Sequence, residues 1–472
     1  MARAPLDVLV IGGGITGAGV ALDAASRGLR TALVERNDFA SGTSSKSSKL
    51  IHGGLRYLKQ LQFKVTLEAS REKALLQRLA PHLVEDLVFV LPLYRGVAAR
   101  ALVGAGLWLY DVAAGFTHRH RHLSAAEAGR AYPGLDGARL RGAYLYHDAR
   151  ADDCRLVMHV IKKASDLGAL VANYAPVEKL APHRARVLGV ELRADVIVNA
   201  TGVWCDEVRR LDDPSARPVV RPSKGVHLVV PLKRLGLETA AILQSPDDGR
   251  VIFIIPWGDR AVIGTTDTEY AGDLDQPRAE IDDVAYLLNL ANAHLPAARL
   301  TRGDIISTYA GLRPLLLDGS DAPSKASREH HLFEAKSGLI TITGGKLTTY
   351  RRMAKQVVDS FSNRKCRTHE IDLFAAPPGD DVVRNYGSEA PRITDRRPIV
   401  GGLPWVWGEV DFAVEREMAM TLSDVLCRRT RLSLFDADRG RGVAEAVAKR
   451  MAVRTGWNAA ETKSQIAAFL RD

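Results

Sequence analysis

An α/β fold carried on a buried parallel sheet is predicted by three observations. The first is a short apolar run rich in β-branched residues, Leu6 to Ile11, that passes through Gly12-Gly13-Gly14-Ile15-Thr16-Gly17 straight into helical spacing up to Arg27. The second is an acidic residue, Glu35, at the end of the next such run, Thr31 to Val34. The third is a pair of distant runs, Ala194 to Asn199 and Leu339 to Thr343, that end in the small-residue turns Ala200-Thr201-Gly202 and Gly344-Gly345-Lys346-Leu347-Thr348.

Taken in order, these elements build a nucleotide cradle. A strand that runs directly into a helix presents free N–H groups at the helix start. Here Gly12 allows the sharp turn, Gly14 lets a pyrophosphate approach the backbone, and Gly17 lets the helix lie close on its strand, while Ile15 and Thr16 open the helix. Glu35 can accept hydrogen bonds from both hydroxyls of an adenosine ribose, which disfavours a 2′-phosphate there. The turn at Ala200 to Gly202 needs small residues because it brings a second stretch of backbone against the same ligand. The turn at Gly344 to Thr348 aims N–H groups and a helix dipole at the electron-rich end of an isoalloxazine ring. Nicotinamide domains keep their cofactor signals close together, whereas flavoproteins of the glutathione-reductase type leave the nucleotide domain for substrate-domain strands and return far downstream. Glycine-bearing strand ends at residues 12–17, 199–202 and 343–348 therefore predict non-covalent FAD rather than NAD.

The intervening runs Val219 to Val230, Val251 to Pro256, Ala261 to Gly264 and Ile305 to Gly311 read as strands of a mixed sheet that roofs the flavin. The expected organisation is a discontinuous FAD-binding, Rossmann-like domain of the glutathione-reductase type (about 1–85, 148–215 and 325–365), a mixed β-sheet substrate roof (about 86–147 and 216–324) and a small all-α C-terminal domain (386–472). His369 to Ala390, with Pro377-Pro378-Gly379, reads as linker and loop. Val414 to Arg429 and Gly442 to Arg454 have helical periodicity, and Asn458-Ala459-Ala460-Glu461 reads as a capping box that opens the last helix. With no catalytic cluster in it, this part reads as packing or assembly.

The 472 residues, 46% of them hydrophobic, suffice for a large core. Cys154, Cys205, Cys366 and Cys427 are scattered without C-x-x-C spacing, so neither a disulfide framework nor a metal is expected. No segment supplies the roughly 20 apolar residues that span a bilayer, and the N-terminal run reads as a strand rather than a signal peptide; a cytoplasmic or peripheral protein is expected. The net charge of +10 favours anionic partners, and because the basic residues are dispersed without aromatic interleaving it argues against nucleic acid.

Seven segments resemble the FAD-dependent (respiratory) glycerol-3-phosphate dehydrogenases and their oxidase relatives. They are Ser44 to Tyr57 (SSKSSKLIHGGLRY), Asp148 to Leu156 (DARADDCRL), Val198 to Gly202 (VNATG), Lys224 to Val229 (KGVHLV), Ile255 to Trp257 with Gly264 to Asp267 (IPW, GTTD), Gly311 to Leu315 (GLRPL) and Gly344 to Arg351 (GGKLTTYR). The resemblance implies oxidation of sn-glycerol 3-phosphate to dihydroxyacetone phosphate, with hydride passing from C2 to flavin N5 and electrons passed on to a membrane quinone. It places Arg56, Tyr57, Lys346 and Thr265 at the substrate, where compact positive charge in a desolvated pocket suits a phosphate dianion. To the cofactor set of the cradle it adds Arg36, Thr43, Ser44, Ser48, Lys49, Leu50, His52, Gly53 and Gly54, together with Ala200, Thr201, Gly202, Gly344, Gly345, Lys346, Leu347 and Thr348. Oxidation at C2 also requires a neutral base for the hydroxyl proton. His227, in Lys224-Gly225-Val226-His227 on a roof strand, is the candidate, with Arg313 and Arg328 as neighbouring charges that lower its pKa and stabilise a developing alkoxide. Water acting beside those arginines is the rival base.

A quinone acceptor requires docking on a bilayer surface. From Leu347, the residues Leu347, Tyr350, Met353, Ala354, Val357, Val358 and Phe361 fall on one arc and Arg351, Arg352, Lys355, Gln356 and Asp359 on the other. The basic arc suits anionic lipid headgroups, although a helix after a buried strand normally turns its apolar face onto its own sheet. Ala101 to Ala114, with Leu107, Trp108 and Tyr110, is a second candidate, and a core helix explains it equally well. Against the family pattern, Val171 to Ile197 is short and Val203 stands where a proline is common. Oxygen as acceptor, a non-catalytic nucleotide-binding module, and association as a homodimer all stay open at this level.

Overall fold

The strand Leu6–Ile11 lies inside a sheet of order His330–Glu334, Leu339–Gly344, Val190–Asn199, Leu6–Ile11, Thr31–Val34, Leu170–Ala172. The computed structural model describes residues 5–54, 63–94, 96–115, 118–317 and 330–471. All neighbours along this path are parallel except the edge pair His330–Glu334 and Leu339–Gly344. The inner strands are buried on both faces, as their continuous β-branched runs require. Register decides where a ligand can sit: Ile11 lies beside Val34 and Asn199, and Asn199 beside Thr341. The turns that follow these strands therefore leave from one carboxyl edge, where open α/β sheets take their ligands.

The helix Ile15–Ser26 covers one face of this sheet, and Tyr350–Asp359 packs against it. A Cβ at Gly19 would lie 2.7 Å from the Tyr350 ring, so the two helices meet at a glycine. Tyr350, Met353, Ala354, Val357 and Val358 all join the core of Val8, Val10, Ala18 and Val20. The apolar arc packs inside the protein, as a helix after a buried strand is expected to do, and on the basic arc Arg351 pairs with Glu72 and Arg352 with Glu68.

The second sheet contains the roof strands Val220–Pro231, Val251–Trp257, Arg260–Gly264 and Ser307–Leu316, joined by Glu85–Leu93, Gly142–Arg150, Ala240–Gln244 and, at one edge, Leu50–Ile51. Leu50 pairs with Arg150 and Ile51 with Ala149, so the chain crosses from the nucleotide sheet to the roof between residues 35 and 50. One face of the roof packs on the helix Ile281–His294 through Leu228, Ile252, Ile263, Leu287 and Ala291. The other face forms a single core with the C-terminal helices: Phe89, Tyr146, Ile242 and Val262 meet Trp405, Val410, Phe435, Val447 and Met451.

Two sequence expectations change in the C-terminal part. The periodicity over Val414 to Arg429 is not one helix: Trp407–Glu417 ends where Met418 takes φ +56, and a short π-helical segment, Asp424–Arg429, follows. Periodicity registers apolar spacing and is blind to a single left-handed residue. His369 to Ala390, expected as linker and loop, contains the helix Asp381–Tyr386, whose first turn is capped by the Asp380 carboxylate accepting from the Val383 N–H at 2.9 Å. The capping box of the last helix, Ala459–Arg471, forms as read: the Asn458 N–H donates to Glu461 at 2.7 Å and the Glu461 N–H to Asn458 at 2.9 Å. Among the described residues no helix is long and apolar enough to cross a membrane.

Candidate active site

The glycine cradle is closed by contacts only glycine permits. Gly12 has φ +112, and a Cβ there would stand 2.7 Å from the Ala200 carbonyl oxygen; a Cβ at Gly17 would stand 1.9 Å from the Gly12 carbonyl oxygen. The Ala200 N–H donates to the Ile11 carbonyl at 2.9 Å, which locks the distant turn onto the first. Glu35 accepts from the Gly13 N–H at 2.7 Å and the Asn37 N–H at 2.8 Å; burial raises its pKa, and these backbone donors oppose the rise. The Ser44 hydroxyl accepts from the Ile15 N–H at 3.0 Å, the Thr43 hydroxyl donates to the Leu312 carbonyl at 2.6 Å, and the Thr201 hydroxyl donates to Asn199 at 2.7 Å. Arg36 lies 4.8 Å over the Trp204 ring and pairs with Glu207 and Asp275.

These residues fit a bound dinucleotide. Beyond the cradle, Gly202 has φ +61 with open space where a Cβ would stand, and the buried Trp204 Nε1 has no hydrogen-bond partner among the described residues. Gly17→Ala is expected to yield colourless protein of native secondary structure, checked by flavin absorbance and circular dichroism on the purified chain.

The chemistry lies on the roof. Residues two apart on a strand face the same way. Along Val220–Pro231 this aligns Ser223, Gly225 and His227, opposite Arg313, Gly311 and Tyr309 of Ser307–Leu316. The segment Lys46 to Ser48 lies against this face. The Tyr309 hydroxyl donates to the Ser47 carbonyl at 2.9 Å, and a Cβ at Gly311 would stand 2.6 Å from the Lys46 carbonyl oxygen. The Ser48 hydroxyl is 2.8 Å from His227 Nε2. His227 is buried and stacks on Tyr309 with ring centres 4.6 Å apart and planes 7° apart; its Nδ1 has no hydrogen-bond partner among the described residues. Gly264 faces it across the neighbouring strand, where a Cβ would fall 2.3 Å from the imidazole.

Burial, followed by Arg313 and Lys49, holds the His227 pKa well below its ordinary 6.5, so the imidazole is neutral at physiological pH. The first cause is therefore desolvation rather than the pair of arginines expected from the sequence. Arg313 donates to the Thr265 hydroxyl at 3.0 Å, the Thr266 carbonyl at 3.2 Å and Asp267 at 3.2 Å. Its guanidinium occupies the space above Gly225, where a Cβ would meet it at 2.4 Å. His227, Thr265 and Arg313 are thus brought to one patch.

Other expected residues tie the cradle to the roof. The Thr348 hydroxyl accepts from the His52 N–H at 3.1 Å and donates to its carbonyl at 3.3 Å, joining the segment to the turn that Gly344, Gly345, Lys346 and Leu347 open. The Gly53 N–H donates to the Tyr110 hydroxyl at 2.9 Å, and Gly54 turns with φ +78. Lys49, fully buried with φ +57, directs its ammonium to Asp153 at 2.8 Å. Arg56, Tyr57 and Arg328 lie outside the described residues.

Sequence reasoning missed Tyr309, Gly264 and a buried ionic network from the C-terminal part. Arg429 pairs with Asp38 at 2.7 Å, Arg428 also reaches Asp38, and Arg155 donates to Glu417 at 2.9 Å. Burial alone would raise the Asp38 carboxyl, but Arg429 and Arg428 outweigh it and lower its pKa to about 2. The one available signal was the Asp152-Asp153 pair inside DARADDCRL, two adjacent carboxylates that a buried strand end cannot hold without cations.

A strand-to-helix turn closed by glycines, a carboxylate at the end of the next strand and a neutral histidine beside Arg313 on the second sheet are the features of an FAD-dependent oxidoreductase. Residues 7–351 match the family described as FAD dependent oxidoreductase, and residues 340–462 match the C-terminal domain of alpha-glycerophosphate oxidase. The chain is 40% identical to glycerol-3-phosphate dehydrogenase 2 of Mycobacterium tuberculosis, over 98% of this chain and 87% of that protein. It is 35% identical to the aerobic glycerol-3-phosphate dehydrogenase of Bacillus subtilis, over 97% of this chain and 93% of that protein. The X-ray structure of the glycerol-3-phosphate dehydrogenase from Bacillus halodurans complexed with FAD matches with a TM-score of 0.81 at 32% identity, covering 100% of this chain and 95% of that chain. The chain belongs to the FAD-dependent glycerol-3-phosphate dehydrogenase family, and its cofactor is FAD.

Proposed function

We propose that the protein oxidises sn-glycerol 3-phosphate to dihydroxyacetone phosphate and passes the electrons to a quinone at a membrane surface. The observation that carries this reading is the roof patch where neutral, buried His227 stands beside Thr265 and Arg313, in a chain whose relatives are named for this substrate. When bound, FAD would supply the two-electron acceptor for the hydride that leaves C2. Gly12, Gly14, Gly17 and Glu35 would hold it, together with the turns Ala200 to Gly202 and Gly344 to Thr348 that leave the same sheet edge. His227 takes the C2 hydroxyl proton, and its low pKa keeps it able to accept. Arg313 stabilises the oxygen as negative charge develops on it. Arg56, Tyr57, Thr265 and Lys346 grip the phosphate end. Anaerobic titration tests the reading: sn-glycerol 3-phosphate is expected to bleach the flavin stoichiometrically while glycerol and lactate leave it oxidised, and a flavin that stays yellow with the phosphate ester overturns it. Stoichiometric peroxide under air would assign oxygen as the acceptor in place of quinone.

The helix Val97–Ala113 supports the membrane half of the proposal. Its inner face is anchored by buried Leu107 and Tyr110, and the Tyr110 hydroxyl reaches Gly53. Its outer face is also apolar, with Val97 71%, Leu102 76% and Trp108 55% exposed beside Leu109 and Val112. A helix with a second apolar face turned outward, carrying a tryptophan, suits the headgroup boundary of a bilayer, and the positive charge of the chain suits anionic lipid. Trp108→Glu is expected to abolish sedimentation with anionic liposomes at low salt and to slow quinone reduction, with reduction of the flavin by substrate unchanged. Undiminished liposome binding by this variant would remove the helix from the proposal.

A further inference from the structure

We propose that Arg431, contributed by the C-terminal helical part, is a positioning residue: it fixes the segment Ser45 to Lys49 and through it sets the contact between Ser48 and His227. This rests on the reading of His227 as the proton acceptor.

Residues 46–49 run as bends and irregular chain between the turn Thr43–Ser45 and the strand Leu50–Ile51, so side chains must hold them. One carboxylate does most of this. Asp153 Oδ2 accepts from the Ser47 N–H at 3.0 Å and the Ser47 hydroxyl at 2.7 Å, and its Oδ1 accepts from the Lys49 ammonium at 2.8 Å. Ser48 lies between these two clamped residues, with its hydroxyl on His227. Tyr309, which stacks on His227, hydrogen-bonds the Ser47 carbonyl as well. The imidazole is thus referenced to the segment by two routes, and the segment to Asp153.

Asp153 cannot hold that place alone. Asp152 adjoins it, both are buried, and Lys49 supplies a single positive charge. Arg431 supplies the second and the geometry. Its Nε and Nη2 donate to the two Asp152 oxygens at 3.0 Å and 2.9 Å, its Nη2 also reaches Asp153, and its Nη1 donates to the Ser45 carbonyl at 3.2 Å. Two buried anions thereby face two buried cations, the balance that makes such a cluster tolerable in a desolvated site. The backbone of Arg431 sits at φ +57, a left-handed conformation rarely taken by a non-glycine residue, and its carbonyl accepts from the Leu434 and Phe435 N–H groups while the guanidinium fork faces the carboxylates. A lysine keeps the charge but cannot span Asp152, Asp153 and Ser45 at once.

Arg431 is separable from the general attachment of the C-terminal part. Arg155 and Glu417 form another buried pair across the same boundary, and their ion pair touches nothing between Ser44 and Lys49. Full-length, FAD-loaded Arg431→Lys is therefore to be compared with Glu417→Gln. In hydrogen-exchange mass spectrometry, peptides covering residues 44–51 are expected to exchange faster in Arg431→Lys and as in the parent in Glu417→Gln. In anaerobic stopped flow with sn-glycerol 3-phosphate, Arg431→Lys is expected to lower the limiting rate of flavin reduction roughly 10-fold or more, the scale of an ångström-level misplacement. In a His227→Asn background the same substitution is expected to change the rate less than about 2-fold, because a shared route is non-additive. Should Arg431→Lys fail to retain FAD, Ser47→Ala, which removes one hydroxyl from Asp153, carries the same pair of rate expectations. A parent-like rate, an equal loss in both backgrounds, or a Glu417→Gln variant that reproduces both effects overturns the proposal. His227→Asn reducing flavin at the parental rate would remove the base assignment and this proposal together, whereas a slow His227→Asn beside a parental Arg431→Lys removes this proposal only.

Discussion

Replacing His227 by asparagine is expected to slow anaerobic reduction of the flavin by sn-glycerol 3-phosphate by about 10²–10⁴-fold, the usual contribution of a positioned base. Asparagine ends at the level of the ring's Nδ1, short of the Nε2 that meets the Ser48 hydroxyl at 2.8 Å, so the change removes proton acceptance and this contact together. The pH dependence gives a second, independent reading. The rate needs the neutral imidazole and therefore falls as pH drops through the histidine pKa. Since burial, Arg313 and Lys49 hold that pKa well below 6.5, the acid limb of the parent enzyme is expected below 6.5. Arg313→Met removes one of those causes and leaves burial in place, so its limb should move upward without reaching the value of a solvated histidine. His227→Asn should lack this limb altogether. Near-parental reduction by His227→Asn, with the limb intact, would transfer the base role to water beside Arg313.

Asp38→Ala is expected to loosen the C-terminal part from the nucleotide domain at a cost of about 3–5 kcal/mol, because it removes the carboxylate that Arg428 and Arg429 share and leaves them with Asp424 and Glu417 alone. Arg429 is fully inaccessible and Arg428 is 15% exposed, and both converge on this carboxylate. The thermal midpoint should fall, and protease should cut the region around residues 418–424, where the chain leaves its helix, before the rest of the molecule. Asp38→Ala combined with Arg429→Met should recover part of the loss, since one of the two charges that shared the carboxylate is then gone too. In the parent the contribution has a defined acid edge. The folded-state pKa is depressed from 3.8 to about 2, so the stabilisation is complete above 3.8 and disappears as pH falls through about 2. Differential calorimetry across that range, parent against Asp38→Ala, measures it; identical curves would show that the pair contributes nothing.

The nucleotide half of the fold was legible because each of its elements carries its own local reason. Leu6–Ile11 and Thr31–Val34 are β-branched runs that only a doubly covered strand can use, and Gly12 and Gly17 sit where a Cβ collides with backbone. The roof patch was legible in part. His227 stood out only through the segments around it, since a single histidine on a strand carries no mark of its purpose. Its stacking partner Tyr309 and the facing Gly264 follow from register between strands distant in sequence, which no local pattern records. The helix Val97–Ala113 stayed ambiguous for a related reason: with apolar residues all round, periodicity cannot say which side is covered. Nothing local marked the arginines at 428, 429 and 431, because their carboxylates, Asp38, Asp152 and Asp153, lie far upstream in the chain.

One feature of the architecture bears on how the molecule is made. Phe89, Tyr146, Ile242 and Val262 are translated early, yet their cover includes Val447 and Met451. A nascent chain that has passed Leu316 consequently displays a broad oily sheet until its last helices emerge, the kind of surface that sticks to other unfinished chains and that chaperones recognise. Carboxy-terminal truncation should accordingly be felt first as loss of soluble yield, well before any question of turnover arises.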